Sequence, residues 1–172
     1  MANILAKQID AEISGQRFRE AFALAKAWTL DEPDDALAWS KLAVVCQLTD
    51  SLSEAIQAIS RSIALRPDHP PYLFELGYVE YRVHNLDAAA KAFERCTQAS
   101  LAMDDDYYLE AARVAQAQCL LQAGRAHEAA EVIACAAEDA ATWLGGRQTA
   151  AAVSARIQAQ LENTRTARPR IF

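Results

Sequence analysis

The sequence predicts an all-α chain of stacked helix pairs, and three observations carry that reading. Landmarks recur every 34 residues: Ala55 has counterparts at Ala21 and Ala89, Pro67 has one at Pro33, and Ile59 lines up with Phe93 and, more weakly, with Ala25. A fixed period of this length is the signature of a helical-repeat array, whose units stack to bury one continuous core. The composition is 52% hydrophobic, with only five glycines and five prolines in 172 residues. Much of that apolar content is alanine, the best helix former. Within each unit, apolar residues fall at spacings of three and four, the helical period. An array of this kind implies a binding scaffold.

In the first unit, Ile4, Leu5, Ile9 and Ile13 form one stripe and Gly15-Gln16 turns the chain. Phe18 to Thr29 returns, with Ala21, Leu24, Ala25 and Trp28 inward. Pro33 cannot continue a helix, and an Asp just before the next apolar run can cap its N-terminus. In the second unit Trp39, Leu42, Ala43 and Cys46 face inward from one helix, and Ala55, Ile56, Ile59 and Ile63 from the next. Ser51 followed by Glu54 reads as a capping box, and Arg66-Pro67-Asp68 closes the unit. The third unit opens on Pro70-Pro71, where a first helical turn tolerates proline. Gly77 then sits mid-helix, a position that costs about 1 kcal/mol against alanine, so it predicts a close helix contact. After a His84-Asn85 turn, Leu86 to Ser100 returns with Ala89, Phe93 and Cys96 inward.

The fourth unit breaks the period. Ala129 follows Ala89 by forty residues, so six extra residues fall around Ala102 to Leu109. They predict a longer first helix, from about Asp105 to Ala123, followed by a return helix from Ala126 to Ala141. Trp143-Leu144-Gly145-Gly146 reads as a turn, with glycine as the helix stop. Arg147 to Glu162 is then a ninth helix with Ala150, Val153, Ile157 and Leu161 on one face, placed to cover the last repeat. The organisation expected is one domain over residues 2–163, with units near 2–35, 36–69, 70–103 and 110–143 and a capping helix at 147–163. Residues 164–172, with Arg165, Arg168, Pro169 and Arg170, form a basic tail expected to be disordered.

A net charge of −6 disfavours nucleic acid as a partner. The apolar runs are shorter than the roughly 18 residues that span a bilayer, and MANILAKQIDAEISG carries no apolar core of signal-peptide type. A cytoplasmic protein with no membrane partner is expected. Cys46, Cys96, Cys119 and Cys135 each fall on the apolar stripe of a predicted helix and read as buried thiols. His69, His84 and His127 have no partners at ligand spacing, so no metal is expected. Asp104-Asp105-Asp106 reads as acid at a helix N-terminus. With no Walker loop, G-x-S-x-G or H-E-x-x-H, the sequence points to neither an enzyme nor a cofactor.

Trp39, Leu42, Ala43, Ala55, Ile59 and Pro67 occupy the large, large, small, small, large and proline positions of a unit that resembles the tetratricopeptide repeat. Leu76-Gly77, Ala89 and Phe93 match in the third unit, Gly124, Ala129 and Ile133 in the fourth, and Ala21 and Pro33 in the first. The resemblance implies a right-handed superhelical solenoid of four helix pairs plus a C-terminal capping helix. It also implies a concave groove lined by the fifth, ninth and twelfth residues of each unit. Here these are Ala6, Asp10 and Ile13; Ser40, Val44 and Gln47; Phe74, Tyr78 and Tyr81; Val114, Gln118 and Leu121. The fifth and ninth positions carry no Lys, Arg or Asn, which excludes the clamp that related domains use for the acidic tails of heat-shock chaperones. An apolar groove with aromatic residues and a few amides suits an apolar or amphipathic peptide or helix of a partner protein. Self-packing by the ninth helix or the arginine tail, or a homodimer, are the other occupants. Ala115 to Glu131, AQAQCLLQAGRAHEAAE, also resembles the last repeat of the chaperones of type III secretion translocators, which makes a chaperone-like protein the alternative.

Overall fold

A computed structural model describes residues 2–104 and 106–166. Eight helices form four consecutive hairpins: α1 (Ala2–Ser14) with α2 (Phe18–Asp31), α3 (Ala36–Leu48) with α4 (Leu52–Leu65), α5 (Pro70–Arg82) with α6 (Leu86–Met103), and α7 (Asp106–Gln122) with α8 (Ala126–Ile133). A two-stranded antiparallel hairpin follows, β1 (Ala141–Trp143) with β2 (Arg147–Thr149), and then α9 (Ala150–Thr166). Each helix packs on its neighbour in sequence. In addition α1 touches α3, α3 touches α5 and α5 touches α7. The odd helices therefore form one continuous inner layer and the even helices the outer one.

The period is written into the backbone as well as the side chains. Gln16, Asp50, His84 and Gly124 all adopt left-handed φ angles, of 58°, 61°, 60° and 80°. The residue after each donates its amide five residues back: Arg17 to Glu12, Ser51 to Cys46, Asn85 to Glu80 and Arg125 to Leu120. This is the Schellman ending, which satisfies carbonyls at the C-terminus of a helix. It recurs at the ends of α1, α3, α5 and α7, and only the fourth uses glycine for it. The Gly15-Gln16 turn forms where the sequence places it, with Gln16 rather than Gly15 in the left-handed position.

The same geometry explains why the Ser51–Glu54 capping box does not form. A side-chain cap needs an extended N-cap residue. Ser51, committed to the Schellman ending, sits at φ −84°, ψ 59°, and its side chain makes no cap bond. Asp35 is extended, at φ −86°, ψ 107°, and its carboxylate accepts from the Leu37 amide at 2.8 Å. Asp35→Ala should therefore cost about 1 kcal/mol of stability, whereas Ser51→Ala should stay within about 0.5 kcal/mol. Urea unfolding of the two variants checks this contrast.

Gly77 has the close contact that its position predicts. A Cβ there would lie 2.7 Å from the Phe93 ring. Phe93 is fully buried and packs edge-on against Phe74 at 5.2 Å between centroids. Phe74 joins the two hydrophobic clusters into which the core divides, one built from α1 to α5 with parts of α6 and α7, the other from α6 to α9 and the hairpin.

The extra six residues are distributed unexpectedly. α6 has 18 residues where α4 has 14, and α7 has 17 where α5 has 13. Each gains four residues, while the connection between them shortens from four residues to two. Asp104 belongs to the end of α6, not to the start of α7: it is left-handed and its amide bonds to the Ser100 carbonyl. Only Asp106 lies in the first turn of α7; Asp105 lies outside the described residues.

The fourth unit departs most from expectation. α8 stops at Ile133, well before Ala141, and the Trp143–Gly146 stretch ends no helix. It is a hairpin turn, with Gly145 and Gly146 at φ 66° and 121°. Helix propensity across Ala134 to Ala141 is overruled by tertiary contacts. The Glu110 carboxylate of α7 takes the Ala137 amide at 2.6 Å, and Leu144 is buried. α9 begins at Ala150 because residues 147–149 are β2, and Ala150, Val153 and Ile157 are buried as expected, with Leu161 half-buried. Thr164, Arg165 and Thr166 are helical rather than disordered; Arg168, Pro169 and Arg170 lie outside the described residues. Cys46, Cys96 and Cys119 are buried, but Cys135 is exposed, because α8 ends before reaching it. Burial pushes the Cys46 thiol up to about 11 and Cys119 to about 12, so both are protonated packing residues. Among the described residues, no helix is long and apolar enough to cross a membrane and no three metal-ligating side chains cluster.

Candidate binding groove

The inner layer carries an apolar cleft between α3 and α5. Val44, Gln47 and Leu48 come from α3, Phe74, Glu75, Tyr78 and Arg82 from α5, and Trp143 from the hairpin; together they line a cavity of about 310 Å³. Leu48 is 47% exposed and Trp143 is 72% exposed, large apolar side chains left in water at the rim. Polar groups fix the floor. The Gln47 amide donates to the Glu75 carboxylate. Arg82 donates to the Gln47 carbonyl at 2.8 Å and to Asp50 at 2.7 Å. A cation at a helix C-terminus offsets the partial negative charge of the last carbonyls, so Arg82 ties the end of α3 to α5. Burial raises the Glu75 carboxyl above its ordinary range, against the opposing effects of the Gln47 hydrogen bond and the Lys41 charge.

A larger cleft, about 710 Å³, opens at the helix ends among Glu32 to Leu37, Leu65 and Arg66. Its walls are mainly loop residues and charged side chains. It offers few apolar anchors, so size alone does not make it the better binding candidate.

Of the residues assigned to the groove from the sequence, Val44, Gln47, Phe74 and Tyr78 meet around the cavity. Gln47 is largely buried. Phe74 is half spent on packing, against Phe93 and against Tyr108 at 5.4 Å. Asp10 is exposed and paired with Lys41 at 2.5 Å; it and the half-buried Ser40 lie off the cavity wall. Ala6 is buried and Ile13 packs on the core.

The α7 end of the groove is closed by the chain itself. Val114, Gln118 and Leu121 are buried, because the hairpin and α9 pack on α7. Arg156 of α9 reaches across, donating to Gln118 at 2.6 Å and to Gln148 at 2.7 Å. Tyr81 lies beneath the hairpin: Gln122 donates to its hydroxyl at 3.2 Å, and a Cβ on Gly145 would meet that hydroxyl at 3.0 Å. These four side chains support a lid formed by the chain, not an open wall.

Leu48, Glu75, Arg82 and Trp143 were missed by the rule of fifth, ninth and twelfth positions. Three of them were within reach of it. Leu48 and Arg82 are four residues after Val44 and Tyr78, and Glu75 is three before Tyr78, so each shares a helix face with a groove residue. Trp143 had no such signal, since it arrives from outside the repeats.

Comparison with known proteins now bears on the fold. No family model matches the sequence. Protein FlbA of Caulobacter vibrioides is 32% identical over 92 residues, covering 54% of this chain and 15% of FlbA. The first tetratricopeptide domain of Spaghetti (RPAP3), bound to the HSP90 peptide SRMEEVD, superposes with a TM-score of 0.63 and 13% identity, over 72% of this chain and 93% of that one. The chain has a tetratricopeptide-repeat fold. The MamA protein matches nearly all of it, with a TM-score of 0.67 and 16% identity over 99% of this chain and 79% of MamA. The Yersinia enterocolitica type III secretion translocator chaperone SycD gives 0.65 and 11% identity over 71% of this chain and 85% of SycD. The four tetratricopeptide hairpins therefore account for α1 to α8, with the β-hairpin and α9 appended.

Proposed function

We propose that the chain is a protein-interaction scaffold whose α3–α5 groove takes a short apolar or amphipathic segment of a partner protein. The observation that carries this reading is the exposed apolar rim, Leu48 and Trp143, around a cavity walled by Val44, Phe74 and Tyr78. Exposed apolar surface bordered by polar groups marks interaction sites, and aromatic residues dominate their energetics. Neighbours of the same fold include one bound to a peptide and one that is a translocator chaperone. A long client chain suits this groove less well than a short motif, because the chain's own hairpin and α9 cover α7.

Tyr78→Ala and Trp143→Ala are the suitable probes. Each should weaken binding of a partner fragment, recovered by pull-down from the native host, by roughly tenfold or more, the scale of an interface hot spot. Circular dichroism should be unchanged, since Trp143 is exposed and Tyr78 half-buried. Phe74→Ala is a poorer choice because Phe74 supports Phe93. Unchanged affinity in both variants, by calorimetry, rejects the groove. A partner that stays soluble only when co-expressed with this chain favours the chaperone-like reading.

A further inference from the structure

We infer that the segment taken by this groove is basic as well as apolar, with a lysine or arginine placed against Glu75 and a neighbouring aliphatic or aromatic side chain against Val44 and Tyr78. The inference rests on the α3–α5 cleft being the partner site. Its starting point is the way Glu75 is left by the fold. A carboxylate can accept about four hydrogen bonds, and among the described residues Glu75 accepts one, from Gln47. No described cation lies within ion-pair distance of it. Lys41, the nearest cation on α3, is held by Asp10 of α1 at 2.5 Å. Arg82, further along α5, is held by Asp50 of the α3–α4 turn at 2.7 Å. The remaining wall, Val44, Leu48, Phe74, Tyr78 and Trp143, is aliphatic and aromatic.

Covering such a carboxylate has a definite energetic direction. An all-apolar occupant would strip its remaining water and leave it unpaired, which is costly. An acidic occupant would add like-charge repulsion. A cation supplies charge-assisted hydrogen bonds, stronger than neutral ones, while its aliphatic stem packs on the apolar wall. The net charge of −6 also draws basic segments to the surface. Protonation works in the same sense. Burial holds the Glu75 carboxyl above its ordinary range, and a bound cation lowers it. Binding then releases a proton, so affinity rises with pH through the range in which Glu75 of the unliganded chain titrates.

The test is a displayed library of random peptides selected on the intact chain, with the affinity of the selected peptides read by calorimetry. Selected peptides should be enriched in Lys or Arg beside an apolar residue. For one such peptide, made synthetically, Lys→Gln in the peptide or Glu75→Gln in the protein should each weaken binding roughly tenfold. The double change should cost little more than either alone, and proton release should vanish in Glu75→Gln. Apolar peptides without basic enrichment, acidic peptides, or additive effects of the two changes would overturn the inference while leaving the groove in place. Selected peptides indifferent to both Tyr78→Ala and Trp143→Ala, or no binding peptides at all, would overturn the groove and the inference together.

Discussion

Phe93→Ala is expected to lower stability by about 3–5 kcal/mol, the range for deleting a fully buried phenylalanine. The ring is inaccessible to solvent, lies against the backbone of Gly77 and holds Phe74 edge-on at 5.2 Å. Gly77 cannot fill the resulting space, having no side chain. Phe74 contacts both core clusters, so its loosening would reach the groove wall as well. Equilibrium denaturation should show the full loss, with a fall in midpoint temperature of roughly 2–4 °C for each kcal/mol. A loss below about 1 kcal/mol would mean that the α5–α6 contact collapses around the deletion and that Gly77 has another reason to be glycine.

The second large effect concerns the hairpin. Leu144→Ala should cost about 2–4 kcal/mol, since Leu144 is 1% exposed and joins the C-terminal cluster with Val153 and Ile157. The loss should be local. Repeat arrays are held by contacts between neighbours, so faster amide exchange is expected in the hairpin, α8 and α9, with α1 to α4 little changed. Val114, Gln118 and Leu121 should gain access to water, and an environment-sensitive apolar dye should report it. If stability and exchange are both unaltered, the hairpin does not seal α7, and the inner face of α7 would again be available to a partner.

The repeat was legible because its physics is periodic. Ala21, Ala55 and Ala89 are fully buried 34 residues apart, and small residues at helix crossings are a local requirement that every unit repeats. The six-residue excess was legible as a number but not as a placement. Adding four residues to each of two adjacent helices leaves the same sequence count as lengthening one, and Asp104 could serve either end. Val44, Gln47, Phe74 and Tyr78 followed from the groove positions that the resemblance to the tetratricopeptide repeat implies. Glu75 and Leu48 required asking which further positions share that helix face.

What the sequence by itself determined is the stacking of four helix pairs and the direction in which each inner helix faces. Apolar periodicity and proline or Schellman endings are local, and each unit states them independently. Only the tertiary structure decided how much of that inner face is open. Leu144 to Thr149 lies beyond the fourth unit, and the alanines between Ala134 and Ala141 favour a helix. The chain instead forms a hairpin because Glu110 captures the Ala137 amide, Leu144 is buried in the C-terminal cluster and Arg156 binds Gln118 and Gln148. These contacts join residues up to 38 positions apart, and no window of local sequence contains them. They leave the groove shorter than the repeats alone imply, bounded at one end by Trp143 and with Glu75 at its floor.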